Sequence, residues 1–588
     1  MSLAFRLRFG ILLIAGVLYA QDSEQGIPIN DQLTINKCGG CHQRDSKGMM
    51  RRLSYMRTTP EVWQEAIKRM VRLNGLVIKP EEARQILKYL SANNGLAPEE
   101  AKGIFWEAEH RLFRDQSDKI PADALQHTCN YCHTIGRVLG QRRTKDDYDK
   151  LINMHLGLFP GAENTLKPRR PAGSRAEQPI QISSQGGGMP AVMPPAPPPV
   201  PVRADGKTPA EVAVEYLSKA QPLMTPEWAA WKAAMKTPKL DGKWMLVGYQ
   251  QGRGRVYGIV TIEPGANPDE FTTKTELEYV SSRSKLARTG KGIVYTGYSW
   301  RGRSTGPKTT SADPGTDPSE WREALFVARD GNTMDGRFFW GGYDEFGIDA
   351  HLVRATEQPM LSAASVLSIK SPSTTEVRLY GMNLPSDVKP SDFDFGGGIT
   401  TKRVVNKSAS MVTVEVEAAA ALTPGIRDIS MKRSTLERAF AVYDKISYIK
   451  IVPDASMARL GGIVAARQYA QFEAIGYSAG ADGKPNTVDD VPVGAVPARW
   501  ALEEFVSTPG DDDVKYVGSL NDSGLFTPNV DGPNPERKKQ SNNYPTNNWG
   551  DVWVNATYDM GGTTLKARSY LVVTIPVYIR YDQPEVGQ

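Results

Sequence analysis

The spacing of apolar positions changes along the chain. From Asp31 to Gly161 it is helical: within Pro60–Leu73 the residues Val62, Trp63, Ala66, Ile67 and Met70 fall on one face with Arg and Lys between them, and a second run covers Pro80–Leu90. A Pro/Gly/Ser-rich stretch containing MPPAPPPVPV then breaks the period. It reads as an extended insertion over 163–205, after which one more helix is predicted at Pro209–Ala220. Beyond about residue 240 the period becomes two, as in Trp244, Leu246 and Gly248; Val256, Gly258 and Val260; Leu325 and Val327; Val377 and Leu379; and Val412, Val414 and Val416. Turn residues punctuate these runs at short intervals. The C-terminal part is therefore expected to form consecutive antiparallel β domains, with breaks near Gln358 and Lys445.

Length and charge add bounds. A chain of 588 residues accommodates about four domains with cores of their own. The 71 Lys and Arg against 66 Asp and Glu leave a formal charge of +5, too dilute to imply nucleic-acid binding. Residues 1–20 carry Arg6 and Arg8, the apolar run Phe9 to Leu18 and a small residue at Ala20, followed by polar Gln21 and Asp22. That is the pattern of a secretory signal peptide, and its apolar run is roughly half the ~20 residues a spanning helix needs. The mature chain is expected outside the cytoplasm, which in a bacterium means the periplasm, with no membrane span.

The chemistry is concentrated at one end. All four cysteines fall in two Cys-x-x-Cys-His strings, Cys38 to His42 and Cys129 to His133, and five of the six histidines lie within the first 155 positions. In c-type cytochromes two thiols add to the haem vinyl groups and the adjacent His becomes an axial iron ligand, and this spacing lets one helical turn make all three bonds. Paired zinc knuckles would not be separated as far as Cys41 and Cys129. A thioredoxin-like pair would need a βαβ setting, and structural disulfides would not require a His after each pair. Two covalently bound c-type haems are expected, one held by Cys38 and Cys41 with His42 on the iron, the other by Cys129 and Cys132 with His133.

Sixth ligands should come from a repeated structural position. A shift of 85 residues superimposes Arg57 on Arg142, Trp63 on Tyr148, Ile67 on Ile152 and Met70 on His155; a shift of 127 superimposes Tyr89-Leu90-Ser91 on Tyr216-Leu217-Ser218. The 42-residue difference between the shifts coincides with the Pro-rich insertion. Two cytochrome units in tandem follow, with Met70 as the candidate ligand of the first haem and His155 of the second. Met49, Met50 and Met56 are rivals for the first, and Met154, His110 and His127 for the second. A Met/His pair raises the reduction potential relative to bis-His, so two haems of unequal potential are expected.

The β region contributes no catalytic motif. His351 stands alone there and reads as a hydrogen-bonded structural residue. The string ADGKPNTVDD could hold calcium through Asp482, Asn486, Asp489 and Asp490, but it lacks the EF-hand spacing and terminal Glu, so a solvated acidic turn is the preferred reading. With all four thiols assigned to haem, no catalytic residue is assigned to this chain, and organic substrate chemistry must be supplied elsewhere.

The haem motifs CGGCH and CNYCH followed by a Pro-rich insertion, then DGKWMLVGYQQGRGRVYG, VRLYGMNLP, ADGKPNTVDDVPVG and NNWGDVWVNATY in that order, make the chain resemble the large, dihaem subunit of bacterial quinohemoprotein amine dehydrogenases over nearly all of its mature length. The resemblance implies a signal peptide (1–20), an all-α dihaem cytochrome c domain (21–225), a β-barrel domain (226–357) and two immunoglobulin-like β-sandwiches (358–445 and 446–588). It further implies a heterotrimer with a β-propeller subunit and a small subunit bearing cysteine tryptophylquinone. There a primary amine is oxidised to aldehyde and ammonia, and the electrons pass through one bis-His and one His/Met haem to a soluble acceptor such as a cytochrome c or cupredoxin. The alternatives are a self-contained dihaem cytochrome whose β domains bind a partner, and a dihaem peroxidase, which would need a vacant iron site.

Overall fold

The computed structural model describes residues 25–104, 121–126, 128–129, 135–159, 162–166, 206–307, 314–316, 318–507, 510–537 and 547–576. The expected leader (1–20), most of the Pro-rich insertion, His110, His127, Cys132 and His133 lie outside these residues. No helix among them is long and apolar enough to cross a membrane.

In the N-terminal region, helices Pro60–Asn74 and Pro80–Asn93 are answered by Lys145–Leu158 and Pro209–Ala220. The first pair starts alike. Thr59 (φ −70, ψ 160) and Thr144 (φ −68, ψ 159), related by the 85-residue shift, are both extended N-caps. The second pair buries Ile86, Leu87 and Leu90 in one copy and Ala213, Val214 and Leu217 at the equivalent positions of the other. The region is not built of helices alone, as the sequence suggested. The residues leading into the two first helices, Met56–Thr58 and Gln141–Arg143, are extended and pair as an antiparallel ladder. Arg57 lies opposite its duplicate Arg142, and Met56 and Thr58 lie opposite Arg143 and Gln141. This register maps onto itself when the copies are exchanged, so a local pseudo-twofold axis passes between the two arginines.

Arg57 is fully buried. It is gripped by Glu100 through Nη1 at 2.7 Å and Nη2 at 2.8 Å, donates to Gly95 O and Leu223 O, and stacks on Trp228. Arg142 comes within 3.4 Å of the same carboxylate. Burial works to raise the Glu100 pKa, but hydrogen bonds from Arg57 and the charges of Arg57 and Arg142 outweigh it and hold the carboxyl below its usual range.

Eight antiparallel strands from Gly242–Gln250 to Phe346–Arg354 each pair with the next, and the last closes on the first with Ala350 opposite Gly248. The barrel is filled by side chains, including Trp244, Leu246, Trp300, Trp321 and Ile348. Gly292 is required there: a Cβ would stand 2.1 Å from the Trp300 ring. Residues 360–443 form two four-stranded sheets around one core in which Val412, Val414 and Val416 are fully buried. Residues 448–574 form three further sheets around another.

The barrel carries everything else. Arg301 pairs with buried Glu61 of the helical region, and Thr296 bonds Ser91 O at 3.0 Å. Tyr257 stacks on Tyr380 of the first sandwich at 3.8 Å, while Tyr249 and Gly252 both donate to Glu473 of the last domain. Leu525 of that domain joins the barrel core.

Glu100→Gln is expected to destabilise the protein by about 3–5 kcal/mol, because it leaves two buried guanidiniums facing a neutral amide. Denaturant unfolding checks this, and a loss below about 1 kcal/mol, the worth of a surface pair, would refute it. Since the folded-state pKa of Glu100 is depressed, its contribution is complete above the ordinary carboxylate value of about 4.3 and is lost as the pH falls through the lower folded value.

Candidate haem-binding site

Helix Gln32–Cys38 is capped by Asp31, whose carboxylate accepts from Thr34 N at 2.7 Å. The chain leaves it in a tight turn. Gly39 N donates to Ile35 O, and Cys41 N and His42 N both donate to Cys38 O, at 3.2 and 2.8 Å. Cys38, Cys41 and His42 are thus held on a single turn. Cys38 rests on the first core beside Trp63, Ala66 and Ile67, and Cys129 rests on the second beside Tyr148, Leu151 and Ile152. Burial pushes both thiols up to about 11. That runs opposite to the depressed pKa of a redox-active cysteine.

His42 donates from Nδ1 to Arg51 O at 2.9 Å, and His155 makes the same bond to Leu151 O at 2.8 Å. Burial, opposed by the carbonyl bond and aided by neighbouring arginines, lowers the pKa of each ring. Each ring thus has its Nδ1 engaged by a carbonyl and its pKa held below the ordinary histidine value, which favours the neutral form that ligates a metal.

Met70 and His155 stand at equivalent points of their helices, and neither belongs to a buried core. Met70 is half-buried and its sulfur accepts only a long contact, 3.7 Å, from Asn74 Nδ2. Its rivals Met50 and Met56 are locked in the first core, and the Met49 sulfur lies against Gly26. Gly75, in the left-handed region at φ 68, ends the helix and donates to Met70 O. Beyond each candidate ligand the same face continues into exposed apolar side chains, Leu73 at 62% and its duplicate Leu158 at 44%. Two equivalent apolar faces left uncovered next to the candidate ligands suit a flat apolar group.

The duplication extends to single hydrogen bonds. Trp63 Nε1 donates to Asn94 O at 3.1 Å in the first copy, and Tyr148 OH donates to Gln221 O at 3.2 Å in the second. Both donors obey the 85-residue shift and both acceptors the 127-residue shift.

Elsewhere the carboxylates of the 481–490 string are engaged within their own turn. Asp489 accepts from Thr487 Oγ1 and Asp482 N, and Asp490 from Tyr448 OH and Thr487 N. Among the described residues no three His, Cys, Asp or Glu side chains converge as a metal-binding group. His351 bonds Asp335 across a strand pair of the barrel surface, which raises its pKa. Sequence reasoning missed the Arg51 carbonyl that orients His42 and the Arg52, Arg143 and Asp147 contacts between the copies. A backbone acceptor and a cross-copy ion pair leave no residue-type signature.

Four family models match the chain: quinohemoprotein amine dehydrogenase A, alpha subunit, haem binding, over residues 29–171; and alpha subunit domains II, III and IV over 237–355, 359–444 and 449–586. No curated protein matches. Among solved structures, a redesigned β-barrel is 15% identical, covers 20% of this chain and 92% of its own, and has a TM-score of 0.16. A SusE-like surface located polysaccharide binding protein from the Bacteroides thetaiotaomicron heparin utilisation locus is 11% identical, covers 58% of this chain and 50% of its own, and scores 0.12. Likenesses this weak carry no argument about function.

Tyr148→Phe removes the second copy's hydroxyl lock and is expected to cost about 1 kcal/mol. Thermal unfolding checks this, and an unchanged midpoint would show that the duplicated bond is idle.

Proposed function

The chain belongs to the family of quinohemoprotein amine dehydrogenase alpha subunits, and on that premise we propose that it is the dihaem electron-transfer subunit of such a complex. The observation that carries the reading is the Cys38–His42 turn, which presents two thiols and a neutral imidazole with its Nδ1 already bound.

In this reading Cys38 and Cys41 hold one haem through thioethers and Cys129 and Cys132 the other. His42 and His133 would each supply an imidazole nitrogen to an iron. Met70 and His155 would supply the second protein donors, which would make one site Met/His and the other bis-His. When bound, the haems supply one-electron exchange at iron; all else is the work of the chain. The Arg51 and Leu151 carbonyls fix the tautomer and orientation of His42 and His155. Leu73 and Leu158, exposed next to the ligand positions, would be covered by the bound groups, and the ladder at residues 56–58 and 141–143 fixes one helix against its duplicate. Thioether is the softer donor and favours the ferrous state, so the two sites differ in potential and electrons have a preferred direction.

Amine oxidation to aldehyde and ammonia is assigned to a cysteine tryptophylquinone on a small partner subunit, with a β-propeller subunit completing the heterotrimer and a soluble carrier as acceptor. The three β domains give those subunits a rigid surface to dock on. The packed side chains that fill the barrel interior support a scaffolding role. Residues 1–20 direct export to the periplasm, where the haems are attached, and the chain divides at about residues 225, 357 and 445.

Pyridine haemochrome assay of the native protein is expected to give two c haems per chain, and Cys38→Ala/Cys41→Ala or Cys129→Ala/Cys132→Ala is expected to remove one each. A primary amine should reduce the haems in the complete complex and leave them oxidised in the isolated chain. A native protein that carries one haem or none, or whose haems no amine reduces in any assembly, would sink the assignment.

A further inference from the structure

Between the two candidate sites lies a group of arginines that the electron-transfer reading leaves unused. Arg52 occupies a γ-turn at φ 68 and ψ −53, closed by a 2.9 Å bond from Leu53 N to Arg51 O. A side-chain-bearing residue is strained in that conformation, and such strain persists where the surroundings hold it for a purpose. The turn does two things. It offers the Arg51 carbonyl to His42, and it sends Arg52 across to the second copy, where Nη1 lies 2.9 Å from Asp147 Oδ1. Arg143 takes the other oxygen of Asp147.

Arg69, half-buried on the helix that bears Met70, makes no hydrogen bond or ion pair with a described residue. Its charged neighbours are Glu65, one turn back on its own helix, and two like charges, Arg143 and Arg52. The group reaches both sites: Arg52 lies toward His42, while Arg69, Arg143 and Arg137, the duplicate of Arg52, lie toward His155. Among the described residues negative charge is scarce here. Asp147 is buried and shared by two guanidiniums, Glu65 flanks one side, and Asp146 is exposed and tied to Lys150. Guanidiniums crowded out of water with too little counter-charge are costly unless an anion completes the set, and the planar fork of Arg is matched to a carboxylate.

A haem carries two carboxylate arms. We propose that Arg52, Arg69 and Arg143 receive those arms between the two copies and act on both haems as positioning residues, raising both potentials together. The proposal rests on the dihaem reading. Cations beside a redox centre favour the form with one more electron, and a shared cluster would couple the two centres.

Spectroelectrochemical titration of the complete holoprotein tests this, with haem content measured in parallel. Arg69→Leu and Arg52→Gln are each expected to lower both midpoints, by threefold to tenfold in the reduction equilibrium, tenfold being about 59 mV for one electron. Arg69→Lys, which keeps the charge, is expected to restore most of the shift. If both haems are present and neither midpoint moves, or only one does, or if Leu and Lys at position 69 act alike, the shared cluster is refuted. If the haemochrome assay shows fewer than two covalent haems in the unaltered protein, the dihaem reading itself has failed.

Discussion

The N-terminal architecture depends on one carboxylate placed between two buried arginines. A self-complementary ladder must set each residue against its own duplicate where the pseudo-twofold axis crosses it, and here that residue is arginine, Arg57 against Arg142. Two guanidiniums at that distance from water would repel and pay full desolvation, yet Glu100 binds one in bidentate fashion and reaches the other. Because Arg57 also bonds Leu223 O and stacks on Trp228, the same group ties both copies to the segment that leads into the barrel. The ligand helices start two residues beyond the ladder, at Pro60 and Lys145. Their candidate ligands, ten residues further on in each case, are thereby set at a fixed relation to the axis.

Rigid helices alone would not keep that relation. Each helical core is small, and the contacts that fix the region come from the barrel: the Arg301–Glu61 pair, the Thr296–Ser91 bond, and Ile293 and Tyr295, which enter the first helical core directly. The barrel can bear this load because its interior is closed by packed aromatic side chains, with Trp321 and Trp340 stacked at 5.3 Å. The two outer β domains attach to other faces of the same barrel. A structure of this kind holds charged and apolar groups of one region in register with surfaces far away in sequence.

Much of this was legible in the sequence, and the reasons are physical. Strand periodicity works where one face is buried, so Val412, Val414 and Val416 announced themselves. The duplication could be found because both helices begin and bury residues at matching positions, and a shift between copies needs no knowledge of chemistry. What stayed hidden depends on pairing between segments. The 56–58 and 141–143 strands are three residues long, too short to show a period, and an all-helical region was the natural expectation. The Arg51 carbonyl is a backbone group. Asp147 reads locally as a helix-start residue below the Thr144 cap, and only the fold shows that Arg52 reaches it from the other copy.

The two copies share their frame and differ where function demands it. Trp63 and Tyr148, Ile67 and Ile152, and Leu90 and Leu217 keep the same places in their cores. The differences gather near the proposed iron sites: thioether against imidazole at positions 70 and 155, and the Pro-rich insertion in the second copy alone. Two identical sites would have equal affinity for an electron and give it no direction. A duplicated frame with unequal ligands gives a fixed separation together with a difference in affinity. Since the frame is held by Glu100 and the barrel, the ligands could diverge without loosening it. In the proposed reading the arginines between the copies act on a geometry already settled, so that charge adjusts the level of both sites while the ligands set the step between them.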